Sequence, residues 1–113
     1  MTLDAVERCV LWASVEDFVG LWEVVHLLAG GCPHVAEGER PSVARRTVGA
    51  LLERGYVRLW RREGSWGRPE LLSAEHVAGV LAEAIHWQPP VPDAPNVLVA
   101  STAEGRALFL AGT

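Results

Sequence analysis

The sequence predicts an α+β domain that is mainly helical and carries a small antiparallel sheet of two or three strands. Most of the chain places apolar residues at helical spacing between capping residues, glycines and prolines, which is typical of short amphipathic helices. Two short segments, 56–62 and 96–100, instead alternate or run apolar as strands do. With 113 residues, of which 50% are hydrophobic and 21% charged, the chain suits a single domain, 1–113, with one core.

Two helices are predicted in the first third of the chain. Residues 3–13 place apolar side chains on one face, with Thr2 as a cap. Ser14 and Asp17 have the spacing of a capping box for a second helix, which ends at Gly30. The main apolar face of this second helix comprises Val15, Phe18, Val19, Trp22, Val25, His26 and Ala29. A second apolar strip comprises Leu21, Val24 and Leu28, and either other helices of the domain or a second subunit would cover it.

A third helix and a strand follow a loop of turn-forming residues. Ser42 is the predicted cap of this helix and Gly55 its stop, because glycine readily adopts the left-handed conformation that ends helices. One face is apolar, with Ala44, Val48, Leu51 and Leu52, and the opposite face carries Ser42, Arg46, Gly49 and Glu53. The strand alternates, so that Val57 and Leu59 point to one side and Tyr56, Arg58, Trp60 and Arg62 to the other.

An insert is predicted between the two strands. After a turn at 63–69, Ser73 caps an amphipathic helix that ends at a proline-rich run. Proline lacks an N–H and cannot continue a helix or a central strand. If the strand 56–62 pairs with the strand 96–100, residues 73–95 form a helical and proline-rich insert between them.

Positive charge is concentrated in the middle of a chain whose net charge is −4. Between Arg40 and Arg68 there are eight arginines against only Glu53 and Glu63, which gives +6 for this segment and −10 for the rest. The chain has no lysine, so every cationic side chain is a guanidinium that can form bidentate contacts, although the base composition of the genome explains this preference equally well. The acidic total disfavours nucleic acid as a partner, and the local cluster favours it.

The predicted order of three helices, a strand, a tip, a strand and a helix resembles that of a winged helix-turn-helix domain. The segment TVGALLERGYVRL, residues 47–59, resembles the recognition helix and first wing strand of MarR- and PadR-like regulators. The segment VLVASTAEGRALF, residues 97–109, is similar to their second wing strand and the helix after it, for which Ser101 and Glu104 have capping-box spacing. Together the two segments cover about a third of the chain.

This resemblance implies a DNA interface on the third helix and the wing. In such domains the third helix enters the major groove and the wing contacts the DNA backbone. Carried onto this sequence, the groove-facing residues are Ser42, Arg45, Arg46 and Gly49, and the phosphate contacts are Arg58, Arg61, Arg62 and Arg68. A glycine inside a helix costs about 1 kcal/mol relative to alanine, so Gly49 indicates either close approach of a partner or packing of a neighbouring helix or tryptophan.

Three features favour a protein partner instead. The chain is acidic overall, and the connection between the second and third helices has about 12 residues where a helix-turn-helix uses roughly 3 to 4. The region between the strands also carries acidic residues, namely Glu70, Glu75, Glu83 and Asp93. Because tryptophan and arginine dominate protein interface hot spots, the candidate interface comprises Trp60, Trp66 and Trp87.

No arrangement of residues predicts catalysis, a cofactor or a metal. The sequence has no glycine-rich phosphate loop and no Gly-x-Ser-x-Gly motif, so an enzyme is not expected. His26, Cys32 and His34 resemble a metal-binding set, but their spacing matches no established zinc motif and a fourth ligand is not evident. Cys9 and Cys32 are expected to be reduced. No apolar run reaches the roughly 18 to 20 residues of a membrane span and no signal peptide is evident, which predicts a cytoplasmic protein.

Two functions follow from these observations. The first is a small winged-helix transcriptional regulator that binds double-stranded DNA, with a homodimer as a possible state. The second is a winged-helix module, such as an adaptor, an inhibitor or an immunity-type protein, that docks an acidic protein partner and binds no DNA. Neither function involves a membrane.

Overall fold

The computed structural model of the chain describes residues 3–64, 67–91 and 94–111. Its α-helices are α1 (Ala5–Ser14), α2 (Leu21–Gly31), α3 (Arg40–Glu53), α4 (Ala74–Ala82) and α5 (Ala103–Ala111), and its strands are β1 (Val19–Gly20), β2 (Val57–Arg62), β3 (Glu70–Leu71) and β4 (Asn96–Ser101). Short 3₁₀ turns cover Glu37–Glu39 and Ala84–Trp87. The predicted α+β class is confirmed, with four strands in the described sheet instead of two or three.

The sheet is antiparallel and has the strand order β1-β4-β2-β3. β2 pairs with β4 in a register that runs from Val57 opposite Ser101 to Arg62 opposite Asn96, so the predicted pairing of these two strands is confirmed. β1 pairs with the other edge of β4, and β3 with the other edge of β2. Residues 63–95 therefore separate two paired strands and are called the wing insert below.

The second helix begins at Leu21 and not at Ser14. Ser14 is the last residue of α1, and its hydroxyl donates back to the preceding turn at 2.8 Å and lies 3.0 Å from the Ser101 hydroxyl. At the true start of α2, the Gly20 N–H donates to the Glu23 carboxylate at 3.2 Å. The predicted capping box at Ser14 is wrong because this hydroxyl bonds within α1 and to β4, and β1 lies between the two helices.

The buried face of α2 is the second apolar strip of its sequence and not the predicted main face. Leu21, Val24 and Leu28 are at most 2% exposed, whereas Phe18 and His26 of the predicted main face are exposed. α1 and α3 pack against α2, so elements of the same chain cover this strip. The predicted main face is wrong because the later start of the helix leaves its first residues in the preceding loop and strand.

α3 begins at Arg40, two positions before its predicted cap. Pro41 lies in the first turn, where its missing N–H costs nothing because the first helical N–H groups have no intrahelical acceptor. Ser42 is therefore inside the helix and exposed, and it is not the cap. Gly55 ends the helix as predicted, with φ of 76°. The Tyr56 N–H then donates to the Leu51 carbonyl at 2.9 Å and leads the chain into β2.

The cap of α5 is Thr102, so the predicted capping box of Ser101 and Glu104 is one residue out of register. The Thr102 hydroxyl accepts a hydrogen bond from the Gly105 N–H at 3.1 Å. The same hydroxyl donates to the backbone carbonyl of the residue that precedes Tyr56, at 2.7 Å. Thr102 also donates its own N–H to the Tyr56 carbonyl at 3.0 Å. These bonds fasten the start of α5 to the turn between α3 and β2.

The core lies between the helices and one face of the sheet, called the inner face. Its fully buried members include Val10, Leu11, Leu21, Leu28, Val48, Leu51, Val57, Leu59 and Val99. α5 packs on α1, where the Arg8 guanidinium lies 5.4 Å from the centre of the Phe109 ring. Burial of several aliphatic side chains, each contributing roughly 1.5–3 kcal/mol, fixes α3 and β2 relative to each other.

Candidate nucleic-acid interface

The outer face of α3 is the part of this helix that is turned away from the core. Ala44, Val48 and Leu51 are buried on the inner side, which leaves the exposed side chains of Ser42, Arg46 and Glu53 on the opposite side. The first two lie in the N-terminal half of the helix and Glu53 is its last residue. The outer face therefore presents one cation and a hydroxyl at its N-terminal end and an anion at its C-terminal end.

One flank of α3 is joined to α1 by an ion pair. The Arg54 guanidinium donates to the Glu7 carboxylate at 2.7 Å. The Glu7 side chain is only 10% exposed and also accepts the Asp4 N–H at 3.0 Å, as part of the capping box that starts α1. Arg54 thus satisfies a nearly buried anion and holds α3 on α1.

The other flank of α3 meets the wing insert. A methyl group built on Gly49 would lie 3.9 Å from the Leu81 Cδ1 atom of α4, which is ordinary van der Waals contact. Gly49 therefore lies where a neighbouring helix approaches, as the packing alternative predicts, and not on a fully open groove-facing surface. Arg45 is half-buried, and its Nε has no hydrogen-bond partner among the described residues.

The arginines of β2 are divided between the two faces of the sheet. The predicted alternation is confirmed, since Val57 and Leu59 are buried on the inner face and Arg58 is exposed on the outer one. Arg62 shares the outer face and is half-buried. Arg61 points to the inner side beyond the core, where its Nε donates to the Glu63 carboxylate at 3.0 Å. The predicted phosphate contacts of β2 therefore do not lie on one surface.

Exposed arginines without an ion pair remain on both α3 and the strand that follows. Within the described parts of the chain, Arg46, Arg58 and Arg68 are exposed and form no ion pair, whereas Arg54 and Arg61 are engaged. α3 and β2 contact each other, and Arg68 follows β2 in the turn before β3. The arrangement offers exposed cations on adjacent elements, with Arg46 on the side of α3 that is turned away from the core and Arg58 on the outer face of the sheet.

The wing insert folds back onto the helices. Its 3₁₀ turn Ala84–Trp87 packs on α2, and α4 contacts α3 through Leu81. Trp87 is 4% exposed, and its indole Nε1 donates to the Leu81 carbonyl at 3.2 Å. Trp87 was predicted as a protein-interface residue, and this is wrong because the side chain is an internal anchor of the insert. The acidic side chains of Glu70 and Glu75 are exposed on the same insert.

The outer face of the sheet carries an apolar group that we call the outer-sheet cluster, made of Phe18, Trp60, Leu71 and Leu98. Trp60 lies opposite Leu98 of β4 and Leu71 of β3 in the ladder, so the three side chains share this face. The Phe18 and Trp60 rings meet edge to face, with centroids 5.4 Å apart and an angle of 82°. Phe18 and Leu71 remain 37% and 49% exposed. Trp66, the third predicted interface tryptophan, lies outside the described residues.

Sequence reasoning did not find two members of this cluster. Phe18 follows the predicted helical spacing, and only the strand pairing of β1 reveals that it precedes the sheet. Leu98 belongs to the apolar run of β4, in which both faces are buried and no alternation separates the inner from the outer side. Trp12 on α1 is 65% exposed.

The two thiols lie between α1 and the end of α2. Both are free, with Cys32 fully buried and its Sγ 3.6 Å from the Ala5 carbonyl, while Cys9 is half-buried. Burial, together with the neighbouring Cys32, raises the pKa of the Cys9 thiol. His26 and His34 are exposed, and no group of three or more metal-ligating side chains occurs in the described ranges.

No family model, curated protein or solved structure matches this chain. The helices described here are too short and too polar for any of them to cross a membrane. The fold is α+β with an element order compatible with a winged helix-like domain, and its functional assignment rests on the surfaces described above.

Proposed function

We propose that the protein is a winged-helix DNA-binding transcriptional regulator, in which the outer face of α3 enters the major groove and the β2 region contacts phosphates. The observation that carries this proposal is the set of arginines on α3 and on the wing that follows it that are exposed and have no ion pair within the described ranges. Arg46 supplies a cation on the helix, and Arg58 and Arg68 supply cations on β2 and its turn. Guanidinium groups bind phosphate and the guanine edge through bidentate hydrogen bonds.

The position of Arg46 along the helix supports the same function. Recognition helices contact base edges mainly through their N-terminal residues. Ser42 and Arg46 lie in the N-terminal half of α3, and the only described anion on the outer face, Glu53, is at the far end. The docking of the wing insert through Leu81 and Trp87 brings α4 to Gly49 and leaves Ser42 and Arg46 exposed.

A comparison of the DNA affinities of two arginine variants tests the proposal. Arg46→Ala is compared with Arg106→Ala, which changes another exposed arginine, on α5. Both variants are tested for binding to a pool of randomised DNA duplexes and to the sequences that the native protein selects from it. Arg46→Ala removes the proposed groove contact and is expected to weaken the free energy of DNA binding by about 1–3 kcal/mol. Arg106→Ala is expected to leave DNA binding unchanged. Failure of the native protein to bind any duplex at about 50 mM salt contradicts the proposal.

A protein-binding module is the second candidate function, and the outer-sheet cluster favours it. Partly exposed aromatic and aliphatic side chains flanked by Arg58 and Arg62 have the composition of a protein interface hot spot. The flanking charges suit an acidic partner. This candidate uses a face of the sheet and not the outer face of α3.

Affinity purification with matched charge substitutions tests the second candidate. Leu71→Glu places a charge at the exposed edge of the outer-sheet cluster, and Ile85→Glu places one on the wing insert, where Ile85 is 68% exposed. We expect Leu71→Glu to lose one specific acidic partner and Ile85→Glu to retain it. A partner that both variants retain would show that the cluster is not its binding surface.

A further inference from the structure

The wing insert borders a partly open cavity that neither proposed function uses. Its volume is about 930 Å³, and its walls are β3, α4, the 3₁₀ turn Ala84–Trp87 and the proline-rich segment that leads into β4. Apolar residues line much of the wall, among them Leu72, Val80, Ile85, Val91 and Val97. Sites for small organic ligands are concave, mostly apolar and of about 300–1,000 Å³, so this cavity has a suitable size and lining.

The charged groups of the wall define what kind of ligand it suits. Glu70, Glu75 and Glu83 line the cavity, and Arg61 is the only arginine among the lining residues. Arg61 already donates to Glu63, which is not part of the wall. Of the three glutamates, Glu83 alone has an ion-pair partner among the described residues, the His86 imidazole at 3.7 Å. Among the described residues, the wall therefore has two carboxylates without an ion pair and no arginine without one, which favours a cationic ligand and disfavours an anionic one.

We propose that this cavity binds an apolar organic cation, such as a hydrophobic quaternary ammonium or phosphonium ion or a protonated amine. The apolar body of the ligand contacts Leu72, Val80 and Val97, and its charge lies beside Glu70 or Glu75. Burial of the apolar groups supplies the affinity, and the carboxylates select the sign of the charge. The proposal is independent of DNA binding and is tested without DNA.

Two ions of matched size and shape but opposite charge test it directly. Tetraphenylphosphonium chloride and sodium tetraphenylborate are titrated into the full chain by isothermal calorimetry. We expect one phosphonium ion per chain, bound at least tenfold more tightly than the borate. Equal or tighter binding of the borate would overturn the charge argument, and unsaturable binding of the phosphonium would overturn the existence of a defined site.

Variants locate the ion within the molecule. Gly79 lines the cavity, and a methyl group built there meets no atom within 4 Å, so Gly79→Leu adds bulk without a backbone clash. Gly30, in the last turn of α2 and outside the wall, has the same open surroundings and provides the control Gly30→Leu. We expect at least a tenfold loss of phosphonium affinity with Gly79→Leu and no change with Gly30→Leu.

The carboxylates are tested by substitutions that keep their shape. The double variant that combines Glu70→Gln and Glu75→Gln is expected to bind the phosphonium ion at least tenfold more weakly. Its binding of the borate is expected to be unchanged or stronger. Both side chains are exposed, so the folded state is retained, and circular dichroism confirms this for each variant. Phosphonium affinity within twofold of the native value in this double variant or in Gly79→Leu would overturn the proposed location.

Discussion

At the scale of single residues, the arginines differ in what they contact, although the sequence presents them as one cluster. Arg54 satisfies a nearly buried carboxylate, Arg61 pairs with an exposed one, and Arg46 is exposed without an ion pair among the described residues. The difference cannot be derived from local pattern because the partner Glu7 is 47 positions away in the chain. What the pattern of β2 did predict is that Arg58 faces outward while Val57 faces the core.

Arg54→Ala is expected to destabilise the protein and Arg61→Ala is not. Removal of Arg54 leaves the Glu7 carboxylate, which is 10% exposed, without its cation, and we expect a loss of about 1–2 kcal/mol because the 39% exposure of Arg54 screens part of the pair. Arg61 and Glu63 are 54% and 69% exposed, so Arg61→Ala stays within about 0.5 kcal/mol of the native protein. Urea unfolding measures both values. Equal effects of the two substitutions would contradict the structural role of Arg54.

Cys9 is expected to make the stability depend on alkaline pH. Because its pKa is raised in the folded state, the unfolded chain loses this proton at lower pH than the folded one. The contribution of Cys9 to stability is therefore complete below the ordinary thiol pKa and is lost as the pH rises through the raised value. Urea unfolding of the native protein and Cys9→Ala at several pH values between about 7 and 10 measures it. Parallel pH profiles for the two proteins would contradict the raised pKa.

At the scale of elements, the start of α2 shows why capping patterns alone misplace a helix. Ser14 with Asp17 and Gly20 with Glu23 both stand at the spacing of a helix start. The pairing of β1 with β4 decides between them, since residues 19–20 are extended and cannot be helical. A strand of two residues has too few positions for a recognisable alternation.

Two glycines, one in α3 and one in α5, are expected to respond oppositely to substitution by alanine. Gly49→Ala adds a methyl group that makes ordinary contact with Leu81, so the gain in helix propensity should stabilise the fold by about 0.5–1 kcal/mol. In Gly105→Ala the new methyl group would collide with the Tyr56 carbonyl, and we expect strong destabilisation. Thermal unfolding compares the two variants. A stable Gly105→Ala protein would contradict the close approach of α5 to the turn before β2.

The wing insert is expected to depend on Trp87 as its anchor. Trp87→Ala removes a side chain that is 4% exposed and should cost about 3–5 kcal/mol, whereas Trp87→Phe keeps most of the volume and should cost less. Limited proteolysis of the proline-rich segment after Trp87 reports whether the insert has detached. Unchanged stability and unchanged proteolysis in Trp87→Ala would show that the insert does not depend on this contact.

At the scale of the whole molecule, the chain combines a net charge of −4 with a segment, residues 40–68, that carries +6. The α+β class followed from periodicity and turn residues, which act locally, and the pairing of β2 with β4 was expected from the resemblance of the two strands to a wing. The docking of the wing insert on α2 and α3 did not follow, because it depends on contacts such as Trp87 with α2 that join distant parts of the chain. The same docking creates the cavity and keeps α4, which carries Glu75, at the side of α3.

The central claim is that the exposed arginines of α3 and the wing contact DNA, and the salt dependence of duplex binding tests it most directly. The logarithm of the binding constant is measured against the logarithm of the salt concentration for the native protein, Arg58→Ala, Arg68→Ala and Arg106→Ala. Each phosphate contact contributes about −0.9 to the slope, so Arg58→Ala and Arg68→Ala should each flatten it by about 1 and Arg106→Ala should not. Absence of duplex binding, or a slope that the Arg58 and Arg68 variants leave unchanged, would contradict this account.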